Sequence, residues 1–204
     1  MSKILELYSE LNEASKKGSR FIDECFIHDV YSDARPKKVI VDLGAYTGEF
    51  SFYCLPFAER IYAVEPDPIP FLLMEKYVKD FGFDKIISVH QLAIAESDGT
   101  RKMRLNGGGG SHLVDGNPRD DDVSEVKALS LKTFFDQNGI DHVDILKVDI
   151  ESGEREVFNS PTFEETIRKV DYVIGEHSGF TLLERFGFKV TPQAESGVYV
   201  ARRI

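Results

Sequence analysis

Cysteine is scarce in this chain of 204 residues, with only Cys25 and Cys54. Two thiols in apolar, helix-like segments exclude a disulfide framework, and their spacing does not suit a zinc site, so both are expected to be buried and reduced. Long apolar runs are also missing: no stretch approaches the ~20 residues of a membrane-spanning helix. The N-terminal MSKILELYSE has neither an apolar core nor a small-residue cleavage site, so it does not read as a secretory signal. Basic residues are outnumbered, 25 Lys and Arg against 35 Asp and Glu, for a net charge of -10. That balance disfavours a broad nucleic-acid footprint and attachment to anionic lipid, while leaving room for a local site. A cytoplasmic chain with no nucleic-acid or membrane partner is expected; its oligomeric state is not legible.

The length suits one ordinary domain with its own core. Residues 1–36 carry two helical stripes, Ile4, Leu7, Tyr8, Leu11 and Ala14, then Phe21, Ile22, Cys25 and Phe26. They are expected to form a helical extension, separated from a main domain over 37–204 by a break at Ser32–Asp33 and Pro36. From Lys38 onward short β-rich runs alternate with helical ones. KVIVDL leads to a helix over Glu49–Phe57, RIYAVE to a helix over Ile69–Phe81, and KIISVHQLAI reads as one further strand. The second half continues with a helix through Leu131–Phe135, the strand HVDILKVDI, a helix from Gly153, the strand VDYVIGE and a helix at Leu182–Phe186. The final FGFKVTPQAESGVYVARRI reads as two strands about a polar turn. The fold class is therefore α/β: a Rossmann-like, mostly parallel seven-stranded sheet with a C-terminal antiparallel hairpin. Residues 106–122 are rich in Gly, Asp and Asn and read as a long loop, with Gly107–Gly110, Ser111 and His112 either a hinge over a cleft or a plain surface loop.

The most informative stretch is VIVDLGAYTGEFSFY. A buried strand runs directly into Asp42-Leu-Gly44-Ala45-Tyr46-Thr-Gly48, and a helix follows. In a doubly wound sheet the ligand sits at the C-terminal strand ends beside this first turn. Gly44 permits the turn and a close approach, and Gly48 allows tight packing at the helix start. Glu65, 21 residues after Gly44 and followed by Pro66, ends the second strand. Its acceptor-only carboxylate suits both ribose hydroxyls of an adenosine. Dinucleotide sites place closely spaced glycines against a pyrophosphate. Here Asp42 stands where the first glycine would be, repulsive to a pyrophosphate but suited to the ammonium end of S-adenosylmethionine, directly or through water.

These residues resemble the FkbM family of S-adenosylmethionine-dependent methyltransferases. The resemblance rests on VDLGAYTGEFS, YAVEPDP, QLAIAESDGT, ALSLKTFFDQNGIDHVDILKVDIESGEREVF, VIGEHSG and LLERFGFKV, spanning about Val39 to Phe188. It implies a class I methyltransferase fold and methyl transfer to an oxygen, often a hydroxyl of a sugar or secondary-metabolite scaffold. Cofactor contacts are expected from Asp42, Gly44, Ala45, Tyr46, Gly48, Glu65, Pro66 and Ala93. Two departures stand out: Tyr46 replaces the family's usual Asn, and the usual Glu-Gly pair reads Glu151-Ser152 with Gly153 one position later.

An aliphatic hydroxyl is a poor nucleophile, so a base or a metal must help it. Lys147, Asp149 and Glu151 alternate along ILKVDIES and share one face while the strand lasts. A lysine within an apolar strand calls for a partner, and Asp149 is the natural one. Glu176 and His177 end the next strand at the same edge, with His177 attractive as a base. Lys147, Asp149, Glu176 and His177 are thus the catalytic candidates. Asp149, Glu176 and His177 could instead hold a divalent cation, a weaker reading. Two rival functions remain open: an NAD-type oxidoreductase and a non-catalytic nucleotide-binding module. Methylation of protein or RNA is weaker still, since no Asn-Pro-Pro-Tyr-type motif is present and the charge is unfavourable.

Overall fold

The computed structural model describes residues 38–105, 110–114, 123–151, 153–176, 178–192 and 198–204. The expected N-terminal extension, Ser152, His177 and most of the 106–122 loop lie outside the described residues.

The sheet grows from the apolar runs. Strands β1 (Val39–Leu43), β2 (Arg60–Val64) and β3 (Ile87–His90) pair in parallel on one side. On the other side β1 pairs in parallel with β8 (Val143–Val148), which pairs in parallel with β9 (Val170–Glu176). The hairpin of β10 (Phe188–Pro192) and β11 (Val198–Arg203) closes the edge, with β11 antiparallel to β9 and β10. The order is β10-β11-β9-β8-β1-β2-β3, the seven-stranded sheet expected from the sequence.

Side-chain alternation along β1 distributes the core to two faces. Ile40 joins Phe52, Met74, Tyr77 and Ile145 beneath the helices α1 (Glu49–Cys54) and α2 (Pro68–Phe81). Val41 and Leu43 join Phe134, Phe158, Phe163 and Phe180 on the opposite face. That second layer is built by α3 (Leu131–Gln137), α4 (Glu154–Phe158), α5 (Phe163–Ile167) and a 3-10 segment, Ser178–Phe186. Phenylalanine pairs knit it together; Phe158 meets Phe180 edge-on at 5.6 Å between ring centroids. Local signals place the helices. Asp67 caps α2 by accepting from the Ile69 backbone N–H at 3.0 Å, and Gly82 ends it in the left-handed conformation. Ser130 caps α3 in the same way through Thr133 N–H.

Three expectations change. KIISVHQLAI is two strands, because the chain leaves the main sheet after His90 and Ala93–Ala95 (β4) enters a second sheet. That sheet, of order β4-β7-β5-β6, adds β5 (Gly99–Arg104), β6 (His112–Leu113) and β7 (Val123–Ser130), so part of the expected 106–122 loop is strand. The expected helix at Leu182–Phe186 is the 3-10 segment that begins at Ser178. No helix among the described residues is long and apolar enough to cross a membrane.

Candidate active site

A cleft of about 870 Å³, counting the space at its mouth, opens at the C-terminal ends of β1, β2 and β8. The β1–α1 turn supplies Gly44, Ala45, Tyr46 and Glu49, the β2 end Glu65 and Pro66, and the β8 end Lys147, Asp149 and Glu151. The second sheet and its approach form the facing wall through Ala93, Ile94, Met103, Ser111, His112 and Leu113. Ser111 fastens that wall to the β2–α2 turn by donating its hydroxyl to Asp67 Oδ2 at 2.7 Å.

The floor is set by strand register. Asp42 of β1 lies directly beside Lys147 of β8, and alternation turns both toward the α1 layer with Ile40 and Ile145. Asp42 is fully buried. Its Oδ2 accepts from the Ser51 hydroxyl at 2.7 Å, and its Oδ1 faces Lys147 Nζ at 3.5 Å. Lys147 also donates to the Gly44 carbonyl at 3.0 Å and pairs with Asp149 Oδ2 at 3.3 Å. One ammonium thus joins the β1 turn to the β8 end. The expected Lys147–Asp149 pair is present, and Asp42 is a second partner that the sequence reading did not assign to it. Asp42 itself does not line the cleft.

Gly44 is required by close packing. With φ at +74°, it lies under the backbone of the β8 end, where an added Cβ would sit 1.7 Å from the Asp149 carbonyl oxygen. The close approach is therefore made by Asp149 backbone. Gly48 (φ +97°) packs against Met74 and Phe52, as expected of the glycine at the helix start, and it does not line the cleft. Two non-glycine residues also take positive φ, Tyr46 at 51° and Glu151 at 53°, and both border the cleft. Left-handed backbone costs a bulky residue roughly 1–2 kcal/mol. The Asn that Tyr46 replaces would adopt it more readily.

Glu65 is held by two backbone donors, Tyr46 N–H to Oε2 at 2.9 Å and Asp67 N–H to Oε1 at 2.8 Å. These bonds favour the carboxylate, but burial outweighs them and pushes Glu65 up to about 7. Glu49 is just 3% exposed, and its Oε1 accepts from the Thr47 hydroxyl. Burial raises it to about 7 as well, against the opposing pull of Thr47 and Lys147. Burial and the neighbouring carboxylates of Glu49, Glu65 and Asp67 raise the Tyr46 phenol. Glu49 was missed by sequence reasoning. Its signal was an acid inside the apolar GEFSFY run, a helix whose six residues are all buried.

His112 Nδ1 lies 2.9 Å from the Gly110 carbonyl oxygen. A carbonyl only accepts, so that nitrogen is the donor. Glu176 is half-buried at the end of β9, opposite Val198, and is not part of the cleft wall. His177 lies outside the described residues. Of the three proposed metal ligands, Asp149 and Glu176 are the two described, and of these Asp149 borders the cleft. The grouping within ligating reach among the described residues is His142, Asp144 and Asp171, at the other ends of β8 and β9.

The family model for the FkbM methyltransferase domain matches residues 42–193. Among solved structures, the FkbM methyltransferase of Methylobacillus flagellatus KT is similar at 16% identity and a TM-score of 0.60, covering 89% of this chain and 47% of that one. The chain thus spans about half the length of that structure. A methyltransferase of Geobacter sulfurreducens gives 14% identity and a TM-score of 0.55, covering 98% and 88% of the two chains. A protein of the NADB-Rossmann superfamily from Streptococcus agalactiae gives 12% and 0.55, covering 91% and 68%. At such identities the structural likeness shows the fold alone. No curated protein matches. The family model covers most of the chain, and the chain belongs to the FkbM methyltransferase family.

Proposed function

We propose that this protein transfers a methyl group from S-adenosylmethionine to a hydroxyl oxygen of a small-molecule acceptor. The observation that carries the donor assignment is the charge of the cleft wall. Glu49, Glu65, Asp149 and Glu151 line it, and Lys147 is the basic residue among the described lining residues. Lys147 is already engaged with Asp42 and Asp149. A pyrophosphate would meet four acidic side chains with one committed cation, and its charge would hold Glu49 and Glu65 protonated at further cost, which argues against a dinucleotide. A ligand carrying a sulfonium, an ammonium and a ribose diol suits the same wall. Glu65 can accept from the diol while keeping its backbone donors, and Leu92, Ile94 and Met103 offer apolar surface for the adenine.

The donor, when bound, supplies a methyl group on a positively charged sulfur. The chain's own work is to align the acceptor oxygen and remove its proton. In this reading Asp149, which borders the cleft and pairs with Lys147, takes that proton as the new carbon–oxygen bond forms and the carbon–sulfur bond breaks. Lys147 acts as a positioning residue, since its ammonium holds Asp149 and the Gly44 carbonyl together. Oxygen as the target rests on the family resemblance and on an acidic cleft that can receive a hydroxyl proton. Small-molecule rather than nucleic-acid acceptors fit the net charge of -10.

The test follows a labelled methyl group into a panel of hydroxylated metabolites and matched amines. The wild type is expected to label hydroxylated compounds. Asp149→Asn is expected to lose about 100-fold or more in kcat while donor affinity stays within a few-fold. Labelling confined to amines would contradict oxygen as the target.

A further inference from the structure

The sequence points to Asp42 as the partner of the donor's ammonium end, yet Asp42 lies beneath the cleft with Lys147 and Ser51 as its partners. Direct contact with that charge therefore falls to another carboxylate if the donor is the one proposed above. Asp149 already has Lys147 at 3.3 Å. Glu65 is held by two backbone N–H groups at the β2 end, the position that suits a ribose. Glu151 is half-buried, so solvent screens it.

Glu49 differs from all three. It lines the cleft yet is almost wholly buried, and its side chain accepts from neutral donors only, the Thr47 hydroxyl and its own backbone N–H. Among the described residues, no Lys or Arg lies within ion-pair distance of it. Two neutral donors compensate a buried carboxylate incompletely, whereas a cation delivered by a ligand compensates it well. The geometry points to Glu49 as the carboxylate that binds the α-ammonium of the donor's amino-acid end, with Asp42 holding Lys147 in place beneath it. This assignment rests on the donor reading of the same cleft.

Recognition of an ammonium requires Glu49 to be ionised. Burial raises its proton affinity to about 7, Lys147 opposes that rise and Asp42 adds to it. The Tyr46 phenol, raised above its ordinary value, stays uncharged over this range.

Three ligands separate the roles: S-adenosylmethionine, S-adenosylhomocysteine and 5′-methylthioadenosine, which keeps the adenosine and sulfur but has no amino acid. Calorimetry on the full chain compares the wild type with Glu49→Gln. The variant is expected to bind the first two at least about tenfold more weakly, the loss of one charged hydrogen bond, and to bind 5′-methylthioadenosine within about twofold. Equal losses for all three ligands, or no loss for S-adenosylhomocysteine, would overturn the assignment. A wild type that binds none of them would overturn the donor reading itself. A second measurement needs no variant. Between pH 6 and pH 8 the wild-type preference for S-adenosylhomocysteine over 5′-methylthioadenosine should rise about tenfold as Glu49 ionises. Glu65 acts on both ligands and cancels from that ratio, so a flat ratio would overturn the proposal even if Glu49→Gln fails to fold.

Discussion

Glu49 and Glu65 oppose the stability of the ligand-free fold. Each is buried, and each holds its proton to about 7 in the folded chain against an ordinary value of 4.5. Between those two values the folded chain binds more protons than the unfolded one, so stability falls as pH rises. The contribution of each group is fully present below pH 4.5 and is lost as pH passes 7, on the order of 3 kcal/mol apiece. Ligand-free Glu49→Gln should therefore melt above the wild type at pH 8 and close to it at pH 5. A variant that melts below the wild type at both values would contradict this account. The same buried charge that weakens the empty fold is what a cationic ligand can relieve, a trade-off expected where function needs a costly group. Positive φ at Tyr46 and Glu151 adds a smaller local cost beside the same cleft.

At the scale of elements, the site depends on how closely β1 approaches β8. The Asp42–Lys147 register places one buried ion pair across that seam, and Gly44 lets the Asp149 carbonyl lie over the turn. Lys147→Met leaves Asp42 buried beside Ser51 alone and should cost about 3–5 kcal/mol in urea unfolding. Adding Asp42→Asn removes the stranded charge, so the double variant should recover much of that loss. Strictly additive losses would show that the pair is not coupled. Gly44→Ala forces a Cβ into the Asp149 carbonyl and should cost more than about 3 kcal/mol; a loss under about 1 kcal/mol would contradict the packing described.

Most of these elements were legible because their physics is local. KVIVDL and VDYVIGE are unbroken apolar runs, Asp67 and Gly82 mark both ends of α2, and the Gly44–Glu65 spacing located the cleft. The second sheet was not legible. β5 reads GTRKMR, with charge on both faces and Met103 its one buried side chain, so period-two alternation gives no signal. The break in KIISVHQLAI was hidden for the opposite reason, because both halves are apolar and only tertiary pairing separates them. Asp42 was identified, but its direction was not. That required the register with β8 and the parity that turns it toward α1.

At the scale of the whole molecule, one sheet aligns three strand ends and a second sheet closes the opposite side of the cleft. The acidic cleft sits in an acidic chain, so the surrounding field adds to the attraction that its acidic side chains exert on a cation. Retention of RNA at physiological salt is not expected, and gel-shift binding in the micromolar range would count against a small-molecule acceptor. The central claim is that Glu65 and its acidic neighbours make this a site for S-adenosylmethionine. Calorimetry with S-adenosylmethionine and NAD, on the wild type and Glu65→Ala, tests it most directly. Micromolar heat with S-adenosylmethionine, absent with NAD and lost in folded Glu65→Ala, is the predicted result; no heat with S-adenosylmethionine, or tighter binding of NAD, would contradict it.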